Sequence, residues 1–441
     1  MKKVLIIADW FAPENEIASI RTTKLAKYLN ILGHEITVAT KTIDESKIKD
    51  SLLEKDMTYL HEVIRTERGM VFRFLWNLGP FISARLIHRE RNGNQEAAQE
   101  SNRSKSKSGF LKPIWQRMTH FVLGYFDKLY SKKVFSTLKN SDYDIVISTY
   151  GEFAPHLIAA KLKATHKSKI KWIADFRDPV FSSLRTTNME SDLRGYFKKV
   201  AREADAITAV SQGILEVHEQ DLFQEGNVIT NGFDLDDIKP IAPIKFENEI
   251  INFVYVGALY QNKRDFAQFF NTINDLIKSG LFEVNNIAIH YAGRDFEILW
   301  NQASKCCLTK ILHDHGYLPR EQSLALQLGA DVLLHASWNA TGNTGVNTGK
   351  IFEYMMIKKP ILSIISGNVP NSEIREMIER ANIGLCYEEA LKHKDDEKLK
   401  EFLIKLYQDF QSGTTITFEP NKKYIEKFDY KNIAKQFEAL F

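Results

Sequence analysis

TGNTGVNTGKIFEYMMIKKPILSIIS, residues 341–366, sets three glycines, Gly342, Gly345 and Gly349, among Asn and Thr. An apolar segment follows, then the stop Lys358-Lys359-Pro360 and a second apolar run, Ile361–Ile365. The pattern predicts a loop, a short helix over Gly349–Ile357 with Thr348 as its N-cap, and a buried strand. Glycines let a backbone approach a ligand closely. The helix start offers unpaired N–H groups and the positive end of a dipole, which suits phosphate. Glu353 falls in the second turn. The capping-box position after Thr348 is Ile351, so capping does not account for Glu353. Two readings stand here: a carboxylate that holds the two hydroxyls of a ribose, and a solvated helix carboxylate.

The same half of the chain alternates apolar strands with helical patterns. Strands are expected at 251–257, 286–293, 331–336 and 383–387, with helices over 266–278, from about 294 to Cys307, and over 322–328. A short edge segment lies at 311–317, and a final amphipathic helix spans 424–441. The first half reads the same way. Strands at 4–9, 35–40, 144–149, 170–175 and 206–210 flank helices over 21–32, 154–164 and 192–203, and residues 228–234 close the half. The strands are apolar throughout rather than alternating, as in parallel sheets covered on both faces. Residues 231–243, rich in Asn, Gly, Asp and Pro, read as an interdomain linker. The pattern degrades between residues 41 and 138.

A chain of 441 residues with 44% hydrophobic and 26% charged residues has the composition of a two- or three-domain globular enzyme. No apolar run reaches the roughly 20 residues of a bilayer span. The opening apolar stretch is short and interrupted by Asp9, so it reads as a strand and not a signal peptide. Cys306, Cys307 and Cys386 form no metal-ligand spacing and no even disulfide set, which fits a reducing cytoplasm. The net charge of +3 is uneven: residues 85–139 hold 12 Lys/Arg against 4 Asp/Glu, leaving 47 against 52 elsewhere. Within that stretch a basic amphipathic segment, 103–139, carries Ile114, Trp115, Met118, Phe121, Val122, Tyr125, Phe126 and Leu129 at helical spacing. It suits either an anionic membrane surface or the domain's own core. No nucleic-acid recognition motif accompanies the charge, so nucleic acid is not expected as a partner.

Two doubly wound domains place a ligand between the carboxyl ends of their sheets, so the loops after strands carry the chemistry. Asp175-Phe176-Arg177-Asp178-Pro179 sets two carboxylates and a guanidinium directly after a strand, as a local ion pair or as substrate ligands. His156 stands near a helix start, as a substrate contact or a structural histidine. Lys263 and Arg264 sit just before a helix, where the dipole disfavours cations. An anion between them relieves the conflict, and a diphosphate fits. Asp234-Leu235-Asp236-Asp237 and Asp142-Tyr143-Asp144 match a DxD metal pattern, but the first sits in the linker and the second heads a strand, and His313-Asp314-His315 has no third ligand at sensible spacing. The first loop has no GxGxxG, so no dinucleotide cofactor is expected there.

Taken in order, FAPENEIASIRTTKLAKYLNILGHEITV (11–38), ADFRDP (174–179), ADAITAVSQGI (204–214), NGFD (231–234), VGALYQNKRD (256–265), GKIFEYMMIKKPIL (349–362) and FDYKNIAKQFEALF (428–441) resemble glycosyltransferase family 4, enzymes of the GT-B fold. The likeness covers nearly the whole chain. It implies an α/β architecture of two Rossmann-like domains facing each other across a cleft. Residues 1–235 would bind acceptor, 236–420 would bind a nucleotide-sugar, and 421–441 would cross back as a helix to the first domain. It further implies retention of anomeric configuration, no cofactor and no essential metal.

Carried over by motif, Glu353 matches the second Glu of an E-x7-E pattern and would hold the ribose. Lys263 would neutralise the diphosphate with Arg264 beside it. Gly345, Val346, Asn347, Thr348 and Lys350 would complete the donor side. Asp178 and His156 would face the reacting acceptor hydroxyl, with Glu14, Ser19, Arg21 and Arg177 on the acceptor side. Three stretches depart from the family: Gly345 stands where the first Glu belongs, Ala258 where an Arg is frequent, and Glu14-Asn15-Glu16 where the first loop has glycines. The activity implied is transfer of a hexose-like sugar from a nucleoside diphosphate donor to a lipid-linked or nascent surface glycan. It would take place in the cytoplasm, on the inner face of the cell membrane if residues 103–139 meet it. A nucleotide-sugar epimerase and a non-catalytic binding partner are the alternative readings.

Overall fold

The computed structural model describes residues 1–43, 48–68, 125–151, 153–166, 169–180, 187–218, 221–222, 224–247, 249–261, 263–413 and 419–441. Two sheets organise them. The first contains β1 (Lys3–Ile7), β2 (Glu35–Lys41), β3 (Glu62–Thr66), β4 (Ile145–Tyr150), β5 (Lys171–Phe176), β6 (Ala206–Ala209) and β7 (Gly226–Val228). Its strand order is β3-β2-β1-β4-β5-β6-β7. The second contains β8 (Ile251–Val256), β9 (Ile287–Ala292), β10 (Leu312–Asp314), β11 (Val332–Trp338), β12 (Ile361–Ser366) and β13 (Gly384–Glu388), in the order β10-β9-β8-β11-β12-β13. Every pairing within them is parallel. The order reverses between β1 and β4 in one sheet and between β8 and β11 in the other. Those reversals are where doubly wound sheets open a crevice at their carboxyl ends.

The strands are sandwiched. Val4, Leu5 and Ile6, Trp172 and Ile173, and Leu333 and Leu334 are all buried, because helices cover both faces. The first helix begins at Ile17, four residues before its expected start. Residues 229–234, which close the first half, continue from the short β7 into the domain junction. Four elements were not legible: β3 and the Ser51–Asp56 helix, in the stretch where the pattern degrades, and the helices Glu373–Ala381 and Lys392–Gln411.

The tail forms two helices, Lys422–Glu426 and Tyr430–Glu438, and the second crosses back to the first domain. Tyr430, Ile433, Ala434 and Phe437 share a core with Leu25, Tyr28 and Leu29 of the Ile17–Ile31 helix. An ionic network ties that helix to the junction. The Lys24 ammonium lies 2.6 Å from Asp56 and 2.9 Å from Asp234, and also pairs with Asp237. Lys27 lies 2.7 Å from Asp234, and the Tyr28 hydroxyl donates to the same residue at 2.6 Å. Asp56, Asp234 and Asp237 are close enough together to hold a cation. The ammonium of Lys24 serves that purpose.

A helix over 125–138 carries the described end of the basic segment. It turns Tyr130, Val134 and Leu138 into the first domain's core and leaves Tyr125 and Leu129 exposed. Residues 103–124 lie outside the described residues.

Candidate active site

β8 ends at Val256, and Gly257 turns the chain at a φ of 137°, a left-handed value that favours glycine. The neighbouring β9 ends in Gly293-Arg294-Asp295. Asp295 accepts the backbone N–H of Leu259 at 2.9 Å, so the two post-strand loops are tied together. β11 leads through residues 339–348 into the Gly349–Ile357 helix. His335, buried in β11, holds the end of that loop. Its Nε2 lies 2.7 Å from the Thr348 hydroxyl and its Nδ1 2.8 Å from the Ser363 hydroxyl. Burial, aided by Arg264, pushes its pKa down to about 3, so it is neutral at physiological pH. The Ser337 hydroxyl donates to the Val346 carbonyl at 2.9 Å and fixes the loop's middle.

These loops wall a cavity of ≈ 540 Å³ between the two sheets, closed on the first-domain side by Asn15, Glu16, Ile17 and Ile20. Gly349, Lys350 and Glu353 line it from the helix start. One carboxylate oxygen of Glu353 accepts from Lys350 at 2.6 Å and from Gln327 at 2.8 Å. The other lies 3.8 Å from the Arg320 guanidinium, beyond hydrogen-bond length, and keeps its acceptor capacity. Burial pushes the Glu353 carboxyl up, but Lys350 and Arg320 outweigh it and hold the group below its usual value. A solvated helix carboxylate would be neither buried nor gripped in this way. The carboxylate is fixed, ionised and open on one oxygen.

Arg320 is the principal residue that sequence reasoning missed. Its side chain is 8% exposed, lines the cavity, and pairs with Asp237 at 2.7 Å and Asp50 at 3.7 Å besides Glu353. Burial would lower its pKa, but Asp237, Glu353 and Asp50 together raise it. It is the first residue of a helix whose N-cap is Pro319. Like Lys263 and Arg264 it is a cation at a helix start, where the dipole favours an anion beside it. Arg294, also missed, lines the cavity with its guanidinium 4.5 Å from the Tyr317 ring. The Tyr317 hydroxyl in turn accepts from Asn15 of the first domain at 3.1 Å.

Lys263 and Arg264 stand behind the wall. The Lys263 ammonium lies 5.0 Å from the Trp338 ring, and Arg264 lies 4.7 Å from the Tyr260 ring. Arg264 donates to the Ala258 carbonyl at 2.6 Å. Ala258 and Tyr260, the residues that Arg264 holds, face the cavity.

Asp178 and the loop 342–347 meet across a second cavity of ≈ 120 Å³, lined by Arg177, Asp178, Gly213, Gly342, Gly345 and Asn347 among others. The Asp178 carboxylate is exposed, and Arg177 is anchored by donating to the Tyr150 carbonyl at 3.0 Å. Gly345 has a φ of 70°, and a Cβ there would stand 2.6 Å from the Gly213 Cα. A glutamate cannot occupy this position in this backbone.

Four expected site residues face inward instead. His156 is fully buried, its Nδ1 2.7 Å from the Ser148 hydroxyl and its ring against Tyr150 and Phe176. Burial lowers its pKa to about 3, which suits a neutral core residue and corrects its expected place at the acceptor. Arg21 makes a two-point pair with Asp175, at 3.0 and 2.7 Å, and donates to the carbonyls of Thr230 and Ile229. It braces the junction without reaching the cleft surface. Ser19 is fully buried because the helix begins at Ile17. Glu14 is buried beside Lys41, 3.6 Å away.

No family model and no curated protein matches this sequence. Solved structures do match, over the whole chain. Sucrose-phosphate synthase from Thermosynechococcus elongatus is similar with a TM-score of 0.61 at 12% identity, covering 100% of this chain and 98% of that one. The fold is GT-B. An E. coli structure described as trehalose-6-phosphate bound with UDP-2-fluoro glucose gives a TM-score of 0.60 at 11% identity over 99% and 98% of the two chains. The lipopolysaccharide outer core galactosyltransferase WaaB, in its apo form, gives 0.53 at 15% identity over 99% and 98%. In GT-B terms, the larger cavity is the cleft between the domains, and the Tyr430–Glu438 helix is the crossover that returns to the first of them.

Proposed function

We propose that this chain is a retaining glycosyltransferase that holds a nucleoside diphosphate-sugar in the interdomain cleft and passes the sugar to a lipid-linked or nascent surface glycan. One observation carries the reading: the buried, ionised Glu353 anchored through one oxygen and open to the cleft through the other. A ribose diol supplies the two donors such an oxygen lacks. The cleft's ≈ 540 Å³ lies within the range of roughly 300–1,000 Å³ that suits small-molecule sites. Lys350, Arg294 and Arg320 line it, with Lys263 and Arg264 behind, so a diphosphate meets fixed positive charge and the helix start at Gly349.

Charge that develops on the departing diphosphate is stabilised by groups already in place, with no reorganisation at the moment of reaction. The acceptor hydroxyl approaches from the smaller cavity, where Asp178 is the exposed carboxylate. Attack on the face that the diphosphate leaves retains configuration without a glycosyl-enzyme. No resident metal or cofactor enters the scheme. Incubation with a panel of nucleoside diphosphate-sugars and glycan acceptors, followed by product analysis, tests it. Transfer of the sugar is the expected result. Release of an isomerised nucleotide-sugar without acceptor marks an epimerase. Binding without turnover marks the non-catalytic partner, a second reading that Gly345 favours.

The described end of the basic segment supports contact with an anionic membrane. Lys128, Lys132 and Lys133 surround the exposed Tyr125 and Leu129 on one helix face. Co-sedimentation with anionic vesicles is expected, and equal recovery with and without them sinks this part of the reading.

A further inference from the structure

Where the family pattern has an acid, this chain has Gly345, and the space beside it is filled by the other domain. Gly213 is the second residue of the Gln212–His218 helix of the first domain. A Cβ on Gly213 would stand 2.6 Å from the Gly345 Cα, and the reverse holds as well. The two backbones are therefore in direct contact, and glycine is required on both sides. An independent contact crosses the same point. Glu373, first residue of the Glu373–Ala381 helix, accepts the backbone N–H of Gly213 at 2.8 Å and that of Gln212 at 3.4 Å. Its second oxygen also accepts from the Asn347 side chain at 2.8 Å. An acid in a first turn ordinarily serves its own helix dipole. Here its oxygens take the unpaired amides of a different helix, in the opposite domain, and the side chain of the loop that bears Gly345.

We propose that Glu373 is a positioning residue that clasps the loop 342–347 to the acceptor domain, with the Gly213–Gly345 contact as the steric seat of the clasp. The missing acid at 345 is thereby accounted for. A side chain there would hold the domains apart, so the carboxylate that organises this loop comes from Glu373, 28 residues further along the chain. The clasp fixes the small cavity beside Asp178, where the acceptor hydroxyl and the donor sugar must meet. Its consequence for turnover rests on the transferase reading, whereas its geometry does not.

Amide hydrogen exchange on the full chain, without ligand, tests the geometry. Glu373→Ala is expected to speed exchange about tenfold in two segments on opposite domains, 211–214 and 343–347, as charge-assisted hydrogen bonds are lost. Gly213→Ala leaves Glu373 intact yet unseats the contact, and both segments again exchange faster. Asn347→Ala loosens 343–347 and leaves 211–214 protected. Faster exchange confined to 373–381 in Glu373→Ala would show that the acid serves only its own helix, and would overturn the clasp. In transfer assays Glu373→Ala is expected to lower kcat about tenfold or more, with little change in donor affinity because the Glu353 cleft is untouched. Glu373→Gln, which keeps one acceptor oxygen, recovers part of the loss. Unchanged kcat in Glu373→Ala despite lost protection would overturn the positioning role. If the exchange results are as expected but the wild type transfers no sugar, the clasp stands and the transferase reading falls.

Discussion

At Glu353 a single side chain balances burial against two cations, and the cations win. The same contest runs the other way at His156 and His335, which burial holds neutral, each with a pKa of about 3. In the unfolded chain a histidine titrates near 6.5. Between that value and 3 the unfolded state binds more protons than the folded one, so stability is lost as pH falls from 6.5. Each such histidine contributes a slope of about 1.4 kcal/mol per pH unit. Urea unfolding of His156→Phe is therefore expected to lose about 2 kcal/mol less than the wild type between pH 6.5 and 5. Identical pH profiles would contradict the buried neutral assignment. His156 also shows what sequence cannot convey at this scale. Its position near a helix start was legible, but which way the ring turns depends on Tyr150 and Phe176 from the two flanking strands. Glu353 was legible because its spacing from the N-cap excluded the commonest structural role. Arg320 carries the same dipole signal as Lys263, a cation at a helix start.

Elements were read to within a few residues wherever apolar periodicity was strong, as in the Gly349–Ile357 helix, whose expected and observed bounds coincide. The Lys392–Gln411 helix was missed because charged residues dominate its first half and its buried apolar positions, Leu399, Leu403, Leu406 and Tyr407, begin only at Leu399. The expected single tail helix is two, and only the second crosses over. Phe437, fully buried against the first domain, anchors it. Phe437→Ala is expected to cost about 3–5 kcal/mol, read as a lower denaturant midpoint. A loss under 1 kcal/mol would mean that the crossover helix is not a structural part of the first domain's core.

For the whole molecule, two sheets with reversed strand order on either side of their first strands create one cleft, and the junction fixes how they face each other. The parallel α/β alternation was legible outside residues 41–138, where β3 and the Ser51–Asp56 helix lie. The junction's ionic network was not, since Lys24, Asp56, Asp234 and Asp237 come from separated segments that only the tertiary fold brings together. Lys24→Met leaves three buried carboxylates with too little positive charge, and is expected to destabilise the protein by about 3–5 kcal/mol. Chemical denaturation at pH 7 measures it, and a neutral outcome would show that the network is dispensable. Asp234 is held well below the usual carboxylate range: burial opposes its ionisation, and Lys24, Lys27 and Tyr28 outweigh it. Its stabilisation is therefore present above pH 4 and lost as pH falls further.

The measurement nearest the central claim is a thermal-shift comparison of the wild type and Glu353→Ala across nucleoside diphosphates and their sugars. A nucleotide at 100 times its Kd stabilises the folded protein by about 2.7 kcal/mol. The wild type is expected to show such a shift with at least one nucleotide. Glu353→Ala, lacking the ribose ligand, is expected to bind it about 10- to 100-fold more weakly. A wild type unmoved by every nucleotide, or a Glu353→Ala variant shifted as far as the wild type, would contradict the account.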